Sequence, residues 1–207
     1  LALALSVLVG VPAGVLAALW QNTWRDTTLM GVMLALYSVP SFVIIPIVWV
    51  IDLGLYNAGL PSLPVAGWGT PQHLILPVLV LAAANVGFIS RLMRNSVLEV
   101  MRQDFIRTAR AKGVSERRVI GKHVLRNALL PLLTVLGPST AFLVTGAFVV
   151  ENLFAIPGIG YLAVQSIGQR DYPVIQATTI LLALAVVVMN LLTDLAYTLA
   201  DPRVRAE

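Results

Sequence analysis

Five long stretches without a single Asp, Glu, Lys or Arg occupy positions 1–20, 27–51, 74–90, 128–150 and 172–193, and the short segments between them and the tail after the last hold all the charge. Each stretch approaches the ~20 apolar residues that a helix needs to cross ~30 Å of hydrocarbon. The pattern predicts an all-α integral membrane protein forming a single transmembrane domain over 1–207. Its spans fall at about 1–20, 27–51, 73–92, 128–150 and 172–195. Between residues 91 and 126 the pattern changes. Val97, Met101 and Phe105 recur at four-residue spacing, with Leu98, Ile106 and Ala109 on the same side and Arg102, Arg107 and Arg110 opposite, which is the period of an amphipathic helix. Asp104 is placed to cap a helix beginning at Phe105, and Gly113 to end it in the left-handed conformation. Ser115 is placed to cap a second helix with Glu116 in its first turn, running to Pro131. The loop reads as helix, glycine turn, helix.

Composition agrees with a membrane protein. Hydrophobic residues make up 58% of the 207 and charged residues 12%, about half the charged share of a soluble domain. Ten of the fourteen Lys and Arg residues lie between Arg91 and Arg126. A short loop with that bias belongs on the cytoplasmic side, which makes 93–127 cytoplasmic and 52–72 and 151–171 external. Arg25, Arg203 and Arg205 then also fall inside, and only Arg170 among the basic residues lies outside. The basic excess flanks membrane spans, so nucleic acid is not an expected partner. There are no cysteines, and His73 and His123 are far apart, so no metal site is expected. The chain starts at Leu1 inside an apolar run. The simplest expectation is one further helix upstream, giving six helices with both ends cytoplasmic.

Polar and ring-constrained positions inside the spans are the remaining candidates. Pro40, Pro46, Pro77 and Pro138 are expected as packing adaptations or kinks. Asn85, Asn190 and Thr145 are expected to bond between helices before they line a pathway. Asp194 sits where a carboxylate could pair with a loop arginine. In the second external loop, Pro157-Gly158 is a turn signal and 161–167 a candidate short helix. Three roles compete for the basic loop: lying on anionic lipid, binding nucleic acid, or acting as a rigid lever seated in a groove of a cytoplasmic partner. Its caps and glycine turn favour the lever.

The loop resembles the cytoplasmic signature of importer-type ABC transporter permeases, whose pattern is Glu-Ala-Ala, a short spacer, a glycine and a distal Leu-Pro. Here it reads Arg107-Thr108-Ala109, Gly113 and Leu130-Pro131. The missing glutamate and the longer interval to the proline are features of the dipeptide/oligopeptide branch, which the phrases RTARAKG and LRNALLP resemble. So do GVPAGVLAAL at 10–19, ENLFAIPGIG at 151–160, RDYP at 170–173 and NLLTDLAYTLADPRVR at 190–205. The likeness is to the B-type permease of that branch. It implies a type I importer permease of six helices, of which this chain carries five, in a bacterial or archaeal cytoplasmic (inner) membrane. It implies a heterodimer with a C-type permease, two ATPase subunits and an extracytoplasmic substrate-binding protein. The resemblance assigns coupling to Asp104, Arg107, Thr108, Ala109, Ala111, Lys112, Gly113, Val114 and Arg117. It leaves Glu151, Pro157, Gly158, Gly160, Arg170 and Asp171 as external gate or binding-protein contacts. No G-x-x-x-x-G-K-[ST] phosphate loop is present, so the chain is not expected to be an enzyme or to bind a cofactor, with ATP and Mg held by the partner ATPases. Dipeptides or oligopeptides are the expected solutes, with nickel complexes or glutathione as alternatives in the same family. The rivals outside the family are an ion-coupled secondary transporter using Asp194 or Glu151 as a proton relay and a non-transporting membrane anchor or scaffold whose loop binds lipid.

Overall fold

A computed structural model describes residues 1–200, apart from the side chains of Thr145, Asp194 and 196–200; Arg203 and Arg205 lie outside the described residues. The described chain runs α1 (Ala2–Leu19), α2 (Trp24–Ser38), α3 (Ser41–Asn57), a 3-10 turn (Pro71–Leu74), α4 (Ile75–Met101), α5 (Asp104–Ala111), α6 (Glu116–Arg118), a π-helical turn (Val119–Val124), α7 (Leu125–Ala128), α8 (Leu130–Leu153), α9 (Ile159–Gln169) and α10 (Tyr172–Ala200). Four of these helices are long and apolar enough to cross a membrane, and five if α2 and α3 count as one broken span.

The organising element is α4. Its 27 residues make a rod of about 40 Å at 1.5 Å per residue. It outlasts the apolar run, carrying Arg91, Arg94 and Glu99 past its end without a break. Helix α1 lies against it at backbone distance. A Cβ on Gly14 would stand 2.3 Å from the carbonyl oxygen of Ser90, and one on Gly10 would stand 2.9 Å from the Ile89 side chain. Small residues four apart let transmembrane helices approach this closely. Ser6 adds a hydroxyl hydrogen bond to the Ala82 carbonyl at 3.3 Å. On another side, Gly87 of α4 meets α2, where a Cβ would fall 2.2 Å from the Met33 carbonyl oxygen. Helix α8 also contacts α4, and α10 packs on α8 and α9. There Asn190 sits against Gly137, whose Cβ would be 2.9 Å from the Asn190 amide oxygen.

The apolar stretch 27–51 does not run straight. It divides into α2 and α3, bent by 109°. Pro40 is the cause: it has no N–H to continue α2, and it drives the preceding residue out of the helical region. Val39 is accordingly extended (φ −88°, ψ 121°), and Pro40 becomes the residue before α3. The other prolines are absorbed. Pro77 lies in the first turn of α4, where no helical N–H is required, and Pro46 and Pro138 sit inside α3 and α8.

The α1–α4 contact gives a direct test. Gly14→Val should lower the thermal midpoint of the detergent-solubilised protein by the equivalent of roughly 1–3 kcal/mol, the usual range for overpacking. Gly54→Ala, at a glycine with open space around it, should leave the midpoint unchanged or slightly raised. Equal midpoints for the two variants would contradict the close approach.

Candidate functional site

The basic loop is a folded element with one buried face. Ile106 of α5 is fully buried in a cluster with Met93, Val97 and Val100 of α4 and with Val119, Val124 and Ala128 further along the loop. Ala109 and Val114 are half-buried against the same cluster. Asp104, Arg107, Thr108, Ala111, Lys112, Gly113 and Arg117 are exposed. The nine loop residues singled out in the sequence therefore divide into two anchors and seven outward positions. Gly113 (φ +74°) ends α5: its N–H reaches the Arg110 carbonyl at 2.9 Å and the Val114 N–H reaches that of Ala109 at 3.2 Å. That pair of bonds is the Schellman closure. Arg110 then braces the turn, its guanidinium donating to both carboxylate oxygens of Glu116 at 3.1 and 2.5 Å. The Arg110 hydrogen bond holds the Glu116 carboxyl below its ordinary value, against a smaller opposing effect of burial.

Several local expectations need correction. Asp104 does not cap α5; it lies in the first turn, Gln103 holds the cap position, and the Asp104 carboxylate instead accepts from Arg107 at 3.3 Å. Ser115 holds the cap position of α6 without a side-chain capping bond. The single stripe from Val97 to Ala109 is broken where α4 ends at Met101, and the axis change leaves Phe105 42% exposed while Ile106 is fully buried. The second loop helix is interrupted by the π-helical turn before α7.

At the other end, Glu151 turns back onto the start of α9. Its carboxylate accepts the N–H groups of Gly160 at 2.7 Å and Tyr161 at 3.2 Å, satisfying donors that a helix start leaves free. It fills the space where a Cβ on Gly158 would lie, 2.3 Å away. Pro157 precedes this turn, and Glu151, Gly158 and Gly160 are thus brought together. Arg170 and Asp171 form a separate corner. Arg170 takes a left-handed conformation (φ +58°) at the end of α9, and Asp171 accepts from the Val174 N–H at 3.3 Å at the start of α10. Nearby, Asp52 accepts from the Leu63 N–H at 2.9 Å, and the Gly67 N–H donates to the Phe154 carbonyl at 2.8 Å, pinning the loop after α3. His73 contacts Thr70 at 2.8 Å, and no group of three metal-ligating side chains occurs among the described residues.

One pairing was absent from the sequence reading. Asp26, in the first turn of α2 and 4% exposed, receives a two-pronged bond from Arg94 of α4 at 2.7 and 2.6 Å. Asp26 also accepts from the Asn22 N–H at 3.3 Å, while its own N–H donates to Thr23 at 3.4 Å. The expectation for Asp194 falls on a side chain that lies outside the described residues. Threonine followed three residues later by an acid was the available signal, since that spacing starts helices. The pair borders a cleft of about 440 Å³ between α2 and α4, where Arg91 lies 4.8 Å from the Tyr37 ring centre. Two smaller cavities, of about 200 and 180 Å³, continue between α4 and α8, and Tyr37 borders all three.

Fold and site together define a multi-pass helical membrane protein with a structured basic loop. The model of the family described as "binding-protein-dependent transport system inner membrane component" matches residues 10–206, and the chain belongs to that family. It is 43% identical over 204 residues to the dipeptide transport system permease protein DppB of Bacillus subtilis, covering 99% of this chain and 65% of that protein. It is 43% identical over 206 residues to the oligopeptide permease OppB of Haemophilus influenzae, covering 99% and 66%. To the glutathione permease GsiC of Escherichia coli K12 it is 40% identical over 200 residues, covering 97% and 64%. The chain thus spans about two thirds of the length of these relatives. A chain of the inward-facing MetNI methionine ABC transporter superposes with a TM-score of 0.76 at 20% identity, covering 97% of this chain and 89% of that one. The fold is that of a type I ABC importer permease.

Two measurements probe the site. Asp26→Asn or Arg94→Met alone leaves a group without its partner and should cost on the order of 3 kcal/mol, whereas the double variant should recover much of that loss. A double-mutant cycle on thermal midpoints reads this directly. For the brace, the lowered Glu116 value means that its contribution is present above the ordinary carboxylate range and fades as pH falls through the lower folded-state value. Hydrogen-exchange protection at Val114 and Ser115, corrected for intrinsic rates, should therefore fall on acidification, and Glu116→Gln should abolish that dependence.

Proposed function

We propose that this chain is a permease subunit of an ATP-driven, binding-protein-dependent importer of dipeptides or oligopeptides in a bacterial or archaeal inner membrane. It forms half of a translocation pathway with a C-type permease. Two ATPase subunits holding ATP and Mg supply the energy, and an extracytoplasmic binding protein delivers the solute. The chain itself performs no catalysis. The observation that carries the reading is the construction of the basic loop: one face locked into the core that surrounds α4, the other exposed, with a braced glycine turn between. Such an element transmits displacement instead of absorbing it. Residues 104–118 would seat in an ATPase groove, with Ala109 and Val114 holding α5 to the bundle. Glu151, Gly158, Gly160, Arg170 and Asp171 would shape the surface offered to the binding protein. The glutathione permease among the relatives supports one second reading of the solute, a γ-linked tripeptide.

The test is uptake of a labelled dipeptide by the full-length chain reconstituted with its partner subunits. Gly113→Val places a β-branched residue at φ +74°, a conformation costing roughly 1–2 kcal/mol outside glycine. With Ala109→Trp it should cut ATP-driven uptake at least tenfold and weaken co-purification of the ATPases. Uptake that persists without any ATPase, or that survives both substitutions, would overturn the reading.

A further inference from the structure

Three charged side chains line the cleft between α2 and α4, and two of them are spent on each other. Asp26 and Arg94 form the two-pronged bond described above. Arg91, the third, is exposed, and no carboxylate among the described residues lies within ion-pairing distance of it. The cleft therefore carries one uncompensated positive charge. Its other walls are mostly apolar, with Met30, Met33 and Leu34 of α2 beside the polar Thr27 and Asn95. At about 440 Å³ the cleft falls within the ~300–1,000 Å³ of small-molecule sites, where a few polar groups fix orientation on an apolar wall.

Tyr37 sets how Arg91 is held. The guanidinium carbon stands 4.8 Å from the ring centre, within the range of a cation–π attraction. That attraction uses no N–H group, and a guanidinium presents a planar fork of donors matched to a carboxylate. Tyr37 also borders the two cavities between α4 and α8, and neither of those is lined by an ionised side chain. A single cation thus stands at the basic end of an otherwise uncharged row of spaces, on the side that charge bias makes cytoplasmic.

We propose that Arg91 binds the terminal carboxylate of the transported peptide in the α2–α4 cleft. This rests on the permease reading above. The chemistry selects one end of the solute. Arg91 is the free cation for a carboxylate, whereas Asp26 is engaged by Arg94 and is not offered to the peptide's amine. A lipid phosphate presents similar oxygens, but the shared wall at Tyr37 gives the cleft a continuation among α2, α4 and α8, where the rest of a peptide has room.

The experiment uses the complete transporter, with trialanine as the probe. In proteoliposomes, at saturating loaded binding protein, Arg91→Gln should lower ATP-driven uptake at least tenfold with the complex still assembled. Arg102→Gln, which removes an exposed charge outside the cleft, should leave uptake within twofold. Uptake by the Arg91 variant within twofold of the unsubstituted protein, or an equal loss in both variants, overturns the proposal. A second readout keeps Arg91 in place. Because the chain has no cysteine, Asn95→Cys puts a single thiol on this chain at the cleft, and its reaction with a water-soluble thiosulfonate can be followed in the detergent-solubilised complex. Millimolar trialanine should slow that reaction several-fold, and trialanine amide should not. Equal protection by the two peptides, or by neither, overturns the carboxylate assignment. Protection by phosphatidylglycerol but not by trialanine assigns Arg91 to lipid and overturns it as well. Absence of ATP-driven uptake by the unsubstituted transporter overturns the permease reading itself, and is thereby distinguished from failure at Arg91.

Discussion

Backbone contact between α4 and its two neighbours is the constraint on which the rest of the molecule depends. Helices in lipid gain little from burying apolar side chains against one another, so association relies on close packing and hydrogen bonds. Here the close packing comes from glycines used on both sides: Gly10 and Gly14 admit α4 to α1, and Gly87 admits α2 to α4. The Asp26–Arg94 bond then fixes the lengthwise register of α2 against α4 at the basic end. Sliding α2 by one turn along α4 would separate that pair.

From that fixed rod the loop inherits its geometry. Met93, Val97 and Val100 belong to α4, and Ile106 belongs to α5, yet all four are in one buried cluster. The loop therefore packs on the continuation of a membrane helix and not on lipid-facing surface. A displacement applied to the outer face of α5 would act on α4, and through it on the cavities along its opposite reaches. In the proposed transport cycle this puts the energy input on the helix that borders the three cavities.

Much of this was legible in the sequence, because the signals were local. The apolar stretches, the left-handed Gly113 and the short helix after Pro157-Gly158 each follow from residues within a few positions. The corner at Val39–Pro40 was harder, since apolar residues continue across it and periodicity is blind to a change of axis. Only the dipeptide itself carries the signal. The cap at Asp104 failed because α5 begins one residue earlier, which gives Asp104 helical backbone angles and leaves its carboxylate to Arg107. The Asp26–Arg94 bond joins positions 68 apart. The threonine three residues before Asp26 marks the acid as a helix start, but nothing local marks Arg94 as its partner.

The turn at Glu151 has a consequence for how such chains diverge. Its carboxylate occupies the volume that a side chain at position 158 would need, and it also stands 2.9 Å from the place of one at 160. The three positions are thus locked together in descent. A methyl group at 158 is acceptable only after the residue at 151 has shortened, and shortening it first strips the start of α9 of its acceptor. Either order passes through a disfavoured intermediate, so lineages sharing this corner should retain all three residues or exchange them as a set.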